Sequence, residues 1–164
     1  MDTMVIGDMA RHLDGLSLSS CREFFSRLSP PVIESLDGFY RGLFTGPGWL
    51  QTIAAPGLRW VHFGGWWGKQ FMGETRGVNL FCRHGEYVQD FPFTIHKATS
   101  LVDGVSGVTI RYGGVNPFPW PQVVDELRTL EDGSLMGMSV ANIGPMRKLP
   151  LPFLLFVSER PEGA

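Results

Sequence analysis

Three dipeptides constrain this chain more than any other feature. His84-Gly85, Asp103-Gly104 and Asp132-Gly133 each lie between two runs rich in aromatic and β-branched residues. A pair of this kind supplies the positive φ that a tight hairpin turn needs, so each predicts two adjacent antiparallel strands. The 21 glycines and 12 prolines are spread along the 164 residues as punctuation, not gathered into a linker. Nine runs read as strands: 38–44, 58–63, 66–71, 77–83, 86–96, 105–112, 122–130, 134–142 and 152–159. With no helices between them, so many strands pack as two sheets or close into a barrel that removes the exposed edges. The expectation is a mainly β chain, an antiparallel meander closed into a barrel with an N-terminal helix.

The helix is predicted over residues 17–28, where Ser20 and Glu23 have capping-box spacing and Phe24, Phe25 and Leu28 form an apolar stripe. Ser29-Pro30-Pro31 stops it, and a short helical turn over Val32 to Leu36 ends at Asp37-Gly38. Residues 1–36 are thus a helical segment and 37–160 the barrel, together one domain. Thr45 to Gly57 reads as the one long irregular connection, a lid over a barrel mouth.

Charge and cysteine content exclude several classes. The 14 basic residues against 16 acidic ones leave a net charge of −2 with no basic run, which gives no electrostatic footprint for nucleic acid or for a membrane surface. Cys21 and Cys82 show no CxxC or Cys/His ligand spacing, and His12, His62, His84 and His96 are not paired at metal spacing. Neither a disulfide framework nor a metal is expected, and no cofactor. Asp2, Asp8, His12 and Asp14 interrupt the stretch where a signal peptide needs its apolar run, so the expected location is cytoplasmic.

Leu36-Asp37-Gly38-Phe39-Tyr40-Arg41-Gly42 sets an aromatic between two glycines at the start of the first strand. This resembles the Gly-x-Trp opening of lipocalins and related calycin barrels. It is more similar still to the bacterial GXWXG proteins, in which such an opening precedes a Trp-Trp-Gly-Lys-like segment and a Pro-Phe-rich last strand. Trp66-Trp67-Gly68-Lys69-Gln70-Phe71 and Pro152-Phe153-Leu154-Leu155-Phe156 match those pieces, while Tyr40 departs from the pattern by replacing the tryptophan. The resemblance implies a calycin-like barrel and an apolar ligand, and no catalytic residues. Nitrobindin-type calycins hold haem through a histidine late in the barrel, and nothing after His96 serves here, which disfavours haem.

Independently of the family, Gly38 and Gly42 let a strand bend and Tyr40 can plug the barrel's base. His62, within the aromatic run Trp60 to Trp67, is the first acid/base candidate, because a titratable ring there would be partly desolvated. Strand alternation groups Trp67, Lys69 and Phe71 on one face, which makes Lys69 a second candidate. Arg111 is the third. The inner wall is predicted from Tyr87, Phe91 and Phe93 in one strand, Tyr112 in the next, and Met136 and Met138 as an adaptable lining, with small residues Gly137, Ser139 and Ala141 as the alternative inner set.

Three functions follow. The first is a barrel that binds an apolar or amphipathic small molecule in its interior. The second is a cofactor-independent isomerase or cyclase acting on a polyketide- or terpenoid-like substrate through His62, Lys69 or Arg111. The third is an interaction module, such as a homodimer, meeting its partner through Trp49, Phe118 and Trp120.

Overall fold

A computed structural model describes residues 2–164, with side chains from Asp8 onward. Its strands are β1 Gly38–Phe44, β2 Trp66–Phe71, β3 Arg76–Arg83, β4 Glu86–Thr99, β5 Ser106–Tyr112, β6 Val123–Thr129, β7 Leu135–Ala141 and β8 Leu151–Ser158. Each pairs antiparallel with the next, and β8 returns to β1 with Phe153 opposite Phe44, so the meander closes into an eight-stranded barrel without an edge. The helices are α1 Asp2–Leu13, α2 Leu18–Arg27 and α3 Gly48–Trp60.

The ninth expected strand, 58–63, does not exist. Residues 48–60 form α3, and the connection read as irregular is this helix. Leu50, Ala54, Leu58 and Val61 recur at helical spacing and face the barrel mouth, which outweighs the helix-breaking cost of Pro56 on the exposed side. At the N-terminus, Ser17 caps α2 by accepting from the Ser20 N–H at 3.1 Å, one turn before the expected capping box, and Glu23 pairs instead with Arg27. The predicted turn after it is a short 3₁₀ segment, Ile33–Ser35.

Side chains pack in two clusters separated by the barrel wall. The interior one contains Tyr40, Phe71, Phe81, Phe91, Phe93, Tyr112 and Phe153, and Ile33 and Leu36 join it at the end where β1 begins. The other lies on the outer face of β7 and β8, where Met136, Met138, Leu154 and Phe156 are covered by Leu13 of α1 and by Cys21 and Phe25 of α2. Strand β7 is therefore buried on both faces, and both of its residue sets are compatible with the inside by hydrophobicity alone. The small set faces inward, so Met136 and Met138 do not line the interior.

Two bulges reset the alternation on which the sequence reading depended. In β2, Trp66 is opposite Phe81 and Gly68 is opposite Leu80, which leaves Trp67 as the extra residue. Trp66 and Lys69 thereby share the inner face, and Trp67 is turned outward, under the Arg41 guanidinium at 5.4 Å and beside Tyr87 at 6.1 Å. Gly68 permits this geometry, since a Cβ there would lie 2.0 Å from the Tyr40 carbonyl oxygen. In β4, Asp90 is opposite Asn79 and Pro92 opposite Val78, with Phe91 at φ 52° between them. Phe91 and Phe93 face inward, and Tyr87, on the far side of the bulge, faces out with Trp67.

Candidate functional site

One polar cluster sits within the aromatic interior. The closed ladder brings Lys69 of β2 beside Asn79 of β3, and places Tyr112 of β5 and Asp125 of β6 across from them. Lys69 Nζ donates to Asn79 Oδ1 at 2.9 Å and to the Tyr112 hydroxyl at 2.8 Å, and lies 2.9 Å from Asp125 Oδ2. Tyr112 in turn donates to Asp125 Oδ2 at 2.7 Å. Asn79 is fixed from both sides: its Oδ1 also accepts from Trp66 Nε1 at 3.0 Å, and its Nδ2 donates to the Phe91 carbonyl at 3.0 Å. The β4 bulge supplies that carbonyl. Trp66, Phe93, Tyr112 and Phe153 surround the ammonium, with ring centroids 5.1–5.7 Å from Nζ.

Burial sets the electrostatics. Lys69 is 1% exposed, and desolvation pushes its pKa below 10.5, opposed by the Asp125 charge and hydrogen bond. The Tyr112 phenol is driven well above 10 by burial and by the Asp125 carboxylate beside it, against a smaller effect of its bond with Asn79. Tyr112 is thus a phenol donor over the whole ordinary pH range. Lys69 and Asp125 cancel in charge, so the cluster presents hydrogen-bonding groups to a neighbour without a net charge.

Beside the cluster lies a cavity of about 20 Å³, room for roughly one water. Its wall includes Lys69, Tyr112, Asp125, Trp66 and Phe63. A second, apolar hollow of about 370 Å³ runs between α3 and the barrel mouth, lined by Leu50, Ile53, Ala54, Val61, Met146 and Leu149 among others. Leu58, Trp120, Ser139 and Leu151 belong to both linings and form the partition between them. Trp120 is held in this partition by stacking on Phe63, 4.2 Å between centroids, and by a 3.1 Å bond from its Nε1 to the Val61 carbonyl.

Of the residues singled out in the sequence, the structure brings Lys69 and Tyr112 into contact, with Phe93 beside them. Tyr40 and Phe71 pack on each other at 5.1 Å in the interior, and Phe91 borders Trp120 at 5.3 Å. Trp67, Tyr87, Met136 and Met138 lie outside the barrel wall. His62 is an exposed residue in the turn after α3, at φ 63°, and its carbonyl accepts from Arg83. Its expected desolvation presumed a strand that is a helix and turn. Arg111 is exposed on the outer face of β5, in a groove with Thr94 and His96. Sequence reasoning missed Asn79 and Asp125. Among the described residues, no three His, Cys, Asp or Glu side chains gather at metal-binding distance.

The fold and this cluster define a class: a small up-and-down antiparallel barrel with a helical cover and a buried polar centre. No protein-family model matches the chain, and a search of curated proteins finds no match. Among solved structures, the chain is similar to a protein from Thermomonospora curvata, with TM-score 0.70 and 19% identity over 97% of this chain and 100% of that one. That likeness shows a shared barrel fold.

Proposed function

We propose that the barrel binds an amphipathic small molecule whose neutral polar head, a carbonyl or hydroxyl, meets the Lys69, Tyr112, Asp125 and Asn79 cluster. Its apolar body occupies the hollow beneath α3. The observation that carries this reading is the adjacency of a buried hydrogen-bonding cluster to an apolar hollow of about 370 Å³, within the roughly 300–1,000 Å³ range of small-molecule sites. The paired charges disfavour a carboxylate head, which would add a second anion next to Asp125. Entry of the head requires Leu58 and Trp120 to swing aside, which joins cavity to hollow.

A second reading is favoured by one feature: Tyr112 stands between a cation and a carboxylate, three groups within hydrogen-bond reach of one another. That is the arrangement a proton-shifting isomerase needs. In it, Asp125 takes a proton from carbon next to a ligand carbonyl while Tyr112 and Lys69 stabilise the enolate oxygen, and the proton returns at a different carbon.

Native mass spectrometry of the protein from its own host, followed by extraction and identification of what it carries, tests both. A neutral amphipathic ligand returned unchanged, with binding abolished in a folded Lys69→Met/Asp125→Leu variant, is the result the first reading expects. Conversion of the ligand to an isomer, lost in Asp125→Asn, makes the protein an enzyme. A ligand that binds the double variant as well as the wild type would sink both readings.

A further inference from the structure

The net charge of −2 conceals a segregation along the barrel axis. The connections at the mouth end, residues 45–65, 84–85, 113–122 and 142–150, contain Arg59, Arg147 and Lys148 and no aspartate or glutamate. The segments at the opposite end, 29–37, 72–75, 100–105, 130–134 and 159–164, hold eight carboxylates, of which Asp103 is buried against Arg128 of β6, and one guanidinium of their own, Arg160. Among the described residues, further charges reach the mouth: Arg22 of α2 donates to the Lys148 carbonyl at 2.7 Å, Asp14 just after α1 accepts from Gln51 at 3.0 Å, and the exposed Glu86 opens β4 beside the 84–85 turn.

The same end carries unpartnered apolar surface. On α3, Trp49, Ile53, Pro56 and Trp60 repeat at i, i+4, i+7 and i+11, which lines them along one side of the helix. Trp60 is 88% exposed, Ile53 65% and Trp49 53%. Phe118, 77% exposed, and Met146 and Leu149 extend this surface on the neighbouring connections. Exposed tryptophans flanked by Arg59, Arg147 and Lys148, with most of the loop carboxylates at the far end, match the chemistry of an anionic bilayer surface: apolar side chains enter the acyl boundary while Lys and Arg meet the headgroups.

We infer that the mouth end of the barrel docks reversibly on membranes rich in anionic phospholipid. The charge segregation turns α3 toward the surface, and Trp49, Ile53 and Trp60 insert at the interface. Among the described residues no helix is long and apolar enough to cross a membrane, and the docking is peripheral.

The test is co-sedimentation of the full chain with vesicles of phosphatidylcholine alone and of phosphatidylcholine mixed with an equal part of phosphatidylglycerol. Binding is expected only to the mixed vesicles and should weaken with salt. Arg147→Gln/Lys148→Gln should weaken it roughly 25-fold, from the usual contribution of a basic residue near an anionic surface. Trp60→Ser should weaken it about tenfold by withdrawing apolar area from the interface. Absence of binding to mixed vesicles, or equal binding to both kinds, overturns the inference. So does a dimer in sedimentation equilibrium that Trp60→Ser dissociates, because the stripe would then be covered by a second copy of this chain.

Discussion

Strand β6 carries a buried ionic cluster on each face, and the two differ in what their bonds hold. On the outer face, Arg128 pairs with Asp103 at 3.2 Å and lies 4.6 Å from the ring of Phe25 in α2. Next to it, Glu126 accepts from the Ser100 hydroxyl and from the Leu101 N–H. Each of these bonds fastens the 100–105 turn or α2 to the barrel. On the inner face, Lys69, Asn79, Tyr112 and Asp125 lie on strands whose positions the ladder already fixes, so their network fastens no further element. A buried ion pair seldom stabilises more than well-packed apolar residues of the same volume, so an inner cluster that fastens nothing and borders a cavity supports the binding reading proposed above. Burial and charge alone mark both clusters; what the bonds hold separates them.

Paired substitutions break this comparison most sharply. Removing one partner leaves a buried charge unpaired, so Arg128→Met and Lys69→Met are each expected to cost about 3–5 kcal/mol in urea unfolding. The double variants should diverge. Lys69→Met/Asp125→Leu removes both inner charges, and its stability should return to within about 1 kcal/mol of wild type, because no element depended on them. Arg128→Met/Asp103→Leu should stay well below wild type, since the Phe25 contact and the hold on the turn are lost with the charges. Equal recovery in both double variants would erase the distinction.

The pH dependence gives the clusters opposite signs. Burial raises the Glu126 carboxyl above 4.5, more than its bonds from Ser100 and Leu101 lower it. The fold therefore favours its neutral form, and that stabilisation, complete below 4.5, is lost as pH rises through the raised value. Across that window the stability of wild type relative to Glu126→Gln should fall. Lys69 is lowered, so the fold favours the free amine and stability should rise with pH from the lowered value to 10.5. Tyr112 then opposes it: the native state keeps a phenol proton that the unfolded chain releases above 10, and Tyr112→Phe should remove this alkaline loss. Urea titrations in a pH series check all three slopes.

The same two faces explain how far the sequence could be read. The Asp-Gly and His-Gly turns announced the hairpins, and eight of the nine expected strands stand where the punctuation put them, because a tight turn is a local property. Side-chain direction is not local in that sense. Val123, Asp125 and Leu127 alternate with Val124, Glu126 and Arg128, and both sets contain charge, so nothing in the run tells inside from outside when α2 and the 100–105 turn bury the outer face as well. The β2 bulge inverted the order of Trp66 and Trp67, although Lys69 and Phe71, beyond it, keep the inner face. Asn79 lay between Val78 and Leu80 with no pattern to distinguish it, and only the pairing with Lys69 across the ladder reveals its role.

The smallest expected effect tests whether the inner cluster depends on the close fit of the wall around it. Gly42 of β1 faces the Trp66 ring, and a Cβ placed there would be 2.3 Å from the ring's nearest carbon. Gly42→Ala must therefore displace the indole, which also donates through Nε1 to Asn79 Oδ1. Overpacking of this kind costs about 1–3 kcal/mol. The outer cluster, across the barrel wall, should be untouched, so α2 should keep its amide-exchange protection while the near-ultraviolet signal of the tryptophans changes and affinity for the proposed ligand falls. If Gly42→Ala keeps both the tryptophan signal and wild-type affinity, the indole does not position Asn79, and the site reduces to the Lys69, Tyr112 and Asp125 triad alone.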